Sequence, residues 1–231
     1  MRVALISDIH GNYLALEAVL ESEDFTAADK AYCLGDLVGY YPFPDECTMR
    51  IEKERIPCVM GNHDYSCVNN IPCRNNKVGR ASLNLTRRLI THKSIDYLSS
   101  LPDKLEVDLE GRRVYLVHGS PDNHLDGYVY PKDEVTIPEG FDVLAMGHTH
   151  RQFTRTRFEK LIVNPGSVGQ PRDGIKGACF CVFDTRTLRV VMHRVDYEAS
   201  EVIKRTEVEG CQEAADALKR VFLKSNARDS S

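Results

Sequence analysis

The sequence lacks a C-x-x-C pair, an apolar run near the roughly 18–20 residues of a membrane span, and an excess of positive charge. Each absence removes a class of protein. Without C-x-x-C spacing, a thioredoxin-like redox centre or a zinc ribbon has no support. Without a long apolar run, no membrane-spanning helix is predicted. The opening stretch, residues 1–7, is short and runs straight into Asp8, so no secretory leader is predicted. With 30 Lys and Arg against 34 Asp and Glu, a net charge of −4, the chain is not a basic nucleic-acid coat. Internal repeats and low-complexity linkers are also missing. What is present is ordinary globular composition: 231 residues, 42% hydrophobic and 28% charged. That length buries a sizeable core, and one domain over residues 1–231 is expected. The eight cysteines, at 33, 47, 58, 67, 73, 179, 181 and 211, read as reduced thiols of a cytoplasmic protein, and Cys33, Cys58, Cys179 and Cys181, inside apolar runs, as small hydrophobes.

Hydrophobic patterning predicts strand at 2–7, helix at 13–22 capped by Asn12, strand at 30–34, helix at 44–55 and strand at 56–60. That alternation favours a parallel sheet with covering helices. Residues 76–101 read as mostly helical, with Ala81, Leu85 and Leu89 facing the core. A hairpin follows at 104–109 and 112–117, then a long loop over 119–140 and a strand at 141–146. Short alternating segments near 152–158, 160–164, 177–184 and 188–195 predict antiparallel strands extending a second sheet. An amphipathic helix at about 211–224 ends the pattern.

Five of the predicted strands end in the same way, with a Gly or polar turn carrying Asp, His or Asn. These ends are Asp8-x-His10, Gly35-Asp36, Gly61-Asn62-His63-Asp64, His118 and Gly147-His148-x-His150, and they hold five of the eight histidines. Strand ends at one edge of a sheet are where α/β sites assemble. In an extended chain residues i and i+2 point the same way, so Asp8 with His10, and His148 with His150, are each predicted to aim two ligands at one place. Imidazole and carboxylate suit zinc, manganese and iron. Seven ligands exceed the needs of one tetrahedral ion and match two ions that share a carboxylate, a design that clamps both oxygens of a phosphoryl displacement.

The ordered motifs D-x-H, G-D, G-N-H-D, H-G and G-H-x-H, from Asp8 to about Val168, resemble those of the calcineurin-like metallophosphoesterases. The resemblance implies an α/β fold, a four-layer sandwich of two mixed β-sheets flanked by helices. It also implies a centre of two divalent transition-metal ions, with manganese, iron, zinc, nickel and cobalt as candidates. By the same resemblance Asp8, His10 and His150 hold one ion, Asp36 bridges, and Asn62, His118 and His148 hold the other, with Asn62 also bordering the substrate. His63 is then no ligand. It faces the substrate, and Asp64 orients it. The implied reaction is hydrolysis of a phosphodiester or nucleotide phosphoanhydride by a hydroxide bridging the metals. The run Gly35-Asp36-Leu37-Val38-Gly39-Tyr40-Tyr41 lacks the arginine of the protein serine/threonine phosphatase branch. His118-Gly119-Ser120-Pro121 and the stretch from Asn164 to Arg172 are similar instead to the small prokaryotic phosphodiesterase-like members.

Three functions fit the motifs: a phosphodiesterase-type hydrolase, a phosphomonoesterase, and a non-catalytic interaction scaffold. Scaffold relatives typically lose the substrate-facing histidine, so His63 argues against the last. A small phosphorylated substrate is expected, with nucleotides and dinucleoside polyphosphates as candidates. No membrane partner is expected, and a homo-oligomer is compatible with the sequence. Arg172 has two readings, a phosphate-binding fork or a surface arginine. Residues 65–95 contain no Asp or Glu but carry Arg74, Lys77, Arg80, Arg87, Arg88 and Lys93. This basic segment, 74–93, is either an electrostatic funnel for a polyanion or a solvated helix face. In the funnel reading Arg80, Arg87 and Arg88 matter most, and Arg87 aligns best with Arg80.

Overall fold

The computed structural model describes residues 1–72 and 77–226. β1 (Arg2–Ile6) leads into α1 (Tyr13–Glu21), α2 (Glu23–Thr26) and β2 (Lys30–Cys33). The side chain of Asn12 accepts from the amide of Ala15 and starts α1 as predicted. Then come α3 (Pro44–Lys53), with proline in its first turn, α4 (Asn62–Val68), α5 (Lys77–Leu89) and α6 (His92–Ser100). β3 (Lys104–Leu109) and β4 (Arg112–Val117) form the expected hairpin. β5 (Val143–Ala145), β6 (Gln152–Arg157), β7 (Lys160–Pro165), β8 (Ala178–Asp184) and β9 (Val190–Val195) follow. The described chain closes with α7 (Ser200–Val208) and α8 (Gln212–Asn226).

The strands build two mixed sheets, in the orders β2-β1-β8-β9 and β3-β4-β5-β7-β6. Period-two patterning explains how they stack. Val3 and Leu5 of β1, Cys181 and Phe183 of β8, Val114 and Leu116 of β4, Val143 and Ala145 of β5 and Leu161 and Val163 of β7 fill one core between the sheets. The alternate residues Ala4, Ile6, Phe180 and Val182 turn outward to α1, α3 and the helices after them. On the far side of the second sheet, Tyr115, Val117, Leu144 and Phe153 are covered by Val129, Ile137 and Phe141 from the segment 119–141. A loop therefore makes the outermost layer there, while helices flank the first sheet.

Several sequence expectations change in detail. The strand expected at 56–60 is a single parallel bridge, Cys33 to Cys58. Pro57 has no amide to donate, which cuts the ladder short. The helical stretch 76–101 is broken at Thr91, whose amide and hydroxyl donate to Asp45 and whose hydroxyl oxygen accepts from Ser94 to start α6. β8 and β9 join the first sheet, not the second. β8 pairs antiparallel with β1, and its run of six buried residues suits a strand with neighbours on both sides. The helix expected at 211–224 is preceded by a further one, α7.

Seven cysteines among the described residues are buried and unpaired, and Cys73 lies outside them. No helix among the described residues is long and apolar enough to cross a membrane.

Candidate metal centre

The parallel strands β1, β2, β4 and β5 all run toward one edge shared by the two sheets. Asp8 and His10 follow β1, Asp36 follows β2, His118 follows β4, and His148 and His150 follow β5. Asn62 opens α4 on the same edge. The side chains converge on this edge, but not through an extended chain, and His148 and His150 enter different groups instead of aiming at one place. Asp8, His10, Asp36, His148 and His150 all have φ between 54° and 64°. L-residues visit this left-handed region at a cost of about 1–2 kcal/mol each, and such strain persists where the surrounding structure over-determines it. Here the surroundings are cross-links between strand ends. The amide of Asp8 donates to Gly35, that of His10 to the Asp36 carbonyl, and that of His148 to the Asp8 carboxylate.

Three overlapping groups of side chains form; the third, His10, Asp36 and His63, shares His10 with the first and Asp36 with the second. In the first, Nε2 of His10 lies 3.1 Å from Nε2 of His150, and the two stand 3.8 and 3.3 Å from Oδ1 of Asp8. Each ring donates its other nitrogen to a backbone carbonyl, His10 to Val38 and His150 to Gln170. That fixes the tautomer and leaves a bare lone pair on each Nε2. Burial holds both imidazoles well below their usual pKa, so neither brings a proton at neutral pH. Burial also pushes the Asp8 carboxyl up to about 7, and its Oδ1 has no hydrogen-bond partner. Three electron-rich atoms thus face one another, an arrangement that a cation among them would relieve.

In the second group, Nδ1 of His118 donates to the Leu34 carbonyl. Its Nε2 stands 3.4 Å from Oδ2 of Asp36, 3.1 Å from Oδ1 of Asn62 and 3.2 Å from Nδ1 of His148. Burial opposes charge on His118, but Asp36 outweighs it and raises the imidazole to about 10. Burial likewise opposes charge on Asp36, while His118 and His63 hold its carboxyl well below the usual range. A proton on His118 therefore stands where three acceptors converge, which marks a position suited to a cation. His148 is kept neutral, down to about 3, by burial and by His118, and its Nε2 is buried without a partner. Asp36 also lies 3.6 Å from His10, so it borders both groups. The donor set fits divalent metal in both places.

Glycine keeps this edge tight at Gly61. A Cβ there would sit 2.1 Å from Oδ1 of Asp36, so no other residue fits without moving that carboxylate.

Two expected roles change. Asp64 does not reach the imidazole of His63. Its carboxylate accepts from the amides of Asp36, Val38 and Gly61 at 2.8, 3.1 and 3.0 Å. As the third residue of α4 it folds back on the helix start, so it braces the turn that carries Asp36. Nδ1 of His63 is buried without a partner, against Gly39, and burial lowers this imidazole. The basic segment also does other work. The guanidinium of Arg87 donates to the carbonyls of Ser66 and Ile71, Arg88 to that of Glu209, and Lys93 lies 3.5 Å from Glu52. The pairing of Arg80 with Arg87 along one steering face is not seen: Arg87 is turned to backbone. Arg74 lies outside the described residues.

Arg172 is brought to the pocket over the ligands. It donates to the hydroxyl of Tyr40 and to Oε1 of Gln170. The Asn164 side chain holds the 147–149 turn through Gly147 and Thr149, and Ser167 donates to the Asp8 carbonyl. The sequence reading missed Tyr40, whose ring lies 4.7 Å from that of His10 and 5.0 Å from that of His63. Its place in the run after Asp36 was the available signal. Tyr65, Asp126 and Tyr128 at the pocket mouth were missed as well, and no spacing marks them.

Residues 1–188 match the calcineurin-like phosphoesterase superfamily domain. The chain belongs to that family and is a metal-dependent hydrolase of phosphoric esters. It is 32% identical over 220 residues to an uncharacterised protein of Methanocaldococcus jannaschii, MJ0912, covering 88% of this chain and 90% of that one. It is 28% identical to the phosphodiesterase YfcE of Escherichia coli, covering 83% and 91%. A metallophosphoesterase crystal structure from Sphaerobacter thermophilus superposes with a TM-score of 0.78 at 30% identity, covering 96% and 99%.

Proposed function

We propose that the protein is a phosphodiesterase-type hydrolase with two divalent ions. Asp8, His10 and His150 would hold one ion, Asn62, His118 and His148 the other, and Asp36 would be shared. The observation that carries this reading is the pair of buried ligand groups bordered by one carboxylate, with lone pairs aimed inward. Bound ions of this kind lower the pKa of water to give a nucleophile near neutral pH and offset charge at phosphorus.

The chain's own residues do the rest. Arg172, held by Tyr40 and Gln170, presents a guanidinium to a phosphoryl oxygen. The imidazole of His63 borders Asp36 and His10 and lines the pocket; its N–H would hydrogen-bond the leaving oxygen, and the ring in its protonated form would give that oxygen a proton and become neutral. Asn62, as an amide, adds a ligand oxygen without adding negative charge. Asp64 acts by holding the Asp36 turn. Similarity to YfcE, named a phosphodiesterase, supports a diester over a monoester.

We also read the chain as one domain, because α7 and α8 pack Val202, Ala214 and Leu218 against Tyr40, Tyr41 and Leu85. Buried unpaired thiols favour the cytoplasm. The test is hydrolysis of bis(p-nitrophenyl) phosphate against p-nitrophenyl phosphate, each with manganese, zinc, nickel, cobalt, iron and magnesium. Faster diester turnover is expected. Preference for the monoester across all metals would replace this reading with a phosphomonoesterase.

A further inference from the structure

The pocket above the ligand groups has two chemical halves. Its floor is the ligand cluster with Arg172. Its outer wall is formed by Tyr65 of α4, by Ile71 and Pro72 beyond that helix, and by Leu125, Asp126 and Tyr128 of the 119–141 segment. Tyr65 and Tyr128 are 39% and 42% exposed while lining this concavity. Tyr128 is held in place by its neighbours. Its ring centroid lies 4.0 Å from that of His148, and Tyr130 lies 6.0 Å away, within 14° of parallel. The opposite wall is fixed too, since Arg87 ties the carbonyls of Ser66 and Ile71 to one guanidinium.

We infer that this outer wall is a stacking subsite for the base of a nucleoside phosphoester. The inference rests on the phosphoesterase reading above and names the substrate class for the same site. Contact between the Tyr128 and His148 rings places the aromatic surface directly beside the phosphate-binding floor. A ligand matching that order has a phosphate joined closely to a flat apolar group, and a nucleotide has that build. Asp126, exposed at the mouth, can accept from an exocyclic amine of a base. The same carboxylate disfavours further phosphate groups there, so a single phosphoester fits the mouth better than a polyphosphate chain does.

The test is calorimetric binding of adenosine 5′-monophosphate and of ribose 5-phosphate to the wild type and to Tyr128→Leu, Tyr65→Leu and Tyr128→Phe. The two probes share a phosphate and a ribose and differ by the base. Base stacking on an aromatic side chain contributes about 1–3 kcal/mol, so the wild type is expected to bind the nucleotide roughly tenfold or more tightly. Each Leu variant is expected to lose most of that ratio by weakening the nucleotide alone, and Tyr128→Phe is expected to keep it. Equal binding of the two probes by the wild type, or equal weakening of both in Tyr128→Leu and Tyr65→Leu, would overturn the subsite. Turnover of methyl p-nitrophenyl phosphate, which carries no base, reports the proposed activity separately. Its absence beside an intact nucleotide preference would remove the phosphodiesterase reading and leave the subsite standing.

Discussion

The edge where β1, β2, β4 and β5 end and the helices α5 and α6 are built on opposite rules. At the edge, lone pairs of His10, His150 and Asp8 face one another, and Nε2 of His148 is buried without a partner. Along the helices, Nη2 of Arg87 donates to two carbonyls, Arg88 to Glu209, and Lys93 pairs with Glu52. Both regions are rich in ionisable groups, and the helices too leave Nε of Arg87 and Oγ of Ser94 without a partner, but at the edge the bare atoms are those of a carboxylate and two imidazoles, Asp8, His63 and His148, gathered in one place. A buried polar group without a partner is costly, so its persistence points to something absent that completes it. A satisfied cation points only to its own neighbours.

Substitutions can break this contrast. Asp36→Asn is expected to have the largest effect, with metal uptake lowered and hydrolysis abolished, as read by elemental analysis and a diester assay. His63→Gln comes next: it should keep its metals and lose activity by ~10²–10⁴, less for substrates with good leaving groups. Metal loss in that variant would mean that His63 is a ligand after all. Gly61→Ala drives a methyl toward Asp36 and is expected to cost on the order of 10² in rate while the protein stays folded by circular dichroism. Arg87→Met should act on stability first. Loss of a charged donor to two carbonyls is expected to destabilise by about 1.5–3 kcal/mol in urea titration. Smallest of all, Arg88→Gln and Lys93→Gln remove exposed pairs and are expected to change stability by under about 1 kcal/mol. KM should stay the same at low and high salt. A salt-dependent rise in KM in those two variants would restore the polyanion funnel.

The candidate ligands could be picked out because they sit at strand ends, and the periodicity of apolar strands locates strand ends well. The turn geometry was not, since nothing in Asp8-x-His10 announces a left-handed backbone in place of a pleat. Asp64 was misread for a related reason. Its partners follow from α4 starting at Asn62, whereas the run Gly61 to Asp64 reads as a turn after a strand. The basic stretch misled because a count of charges along a helix says nothing of which carbonyls or carboxylates the tertiary fold brings to them. Tyr65 and Tyr128 escaped notice because they lie on a short helix and an aperiodic loop, where only packing against His148 and the pocket wall gives them meaning.

Metal stoichiometry tests the central claim most directly. The wild type, reconstituted with manganese or zinc and freed of excess ion, should retain two ions per chain by elemental analysis. His148→Ala and Asp8→Ala should each retain fewer, while Tyr128→Leu should retain two. A wild type that holds one ion or none at saturation, or an Asp8→Ala variant that still holds two, would contradict a centre built from both ligand groups.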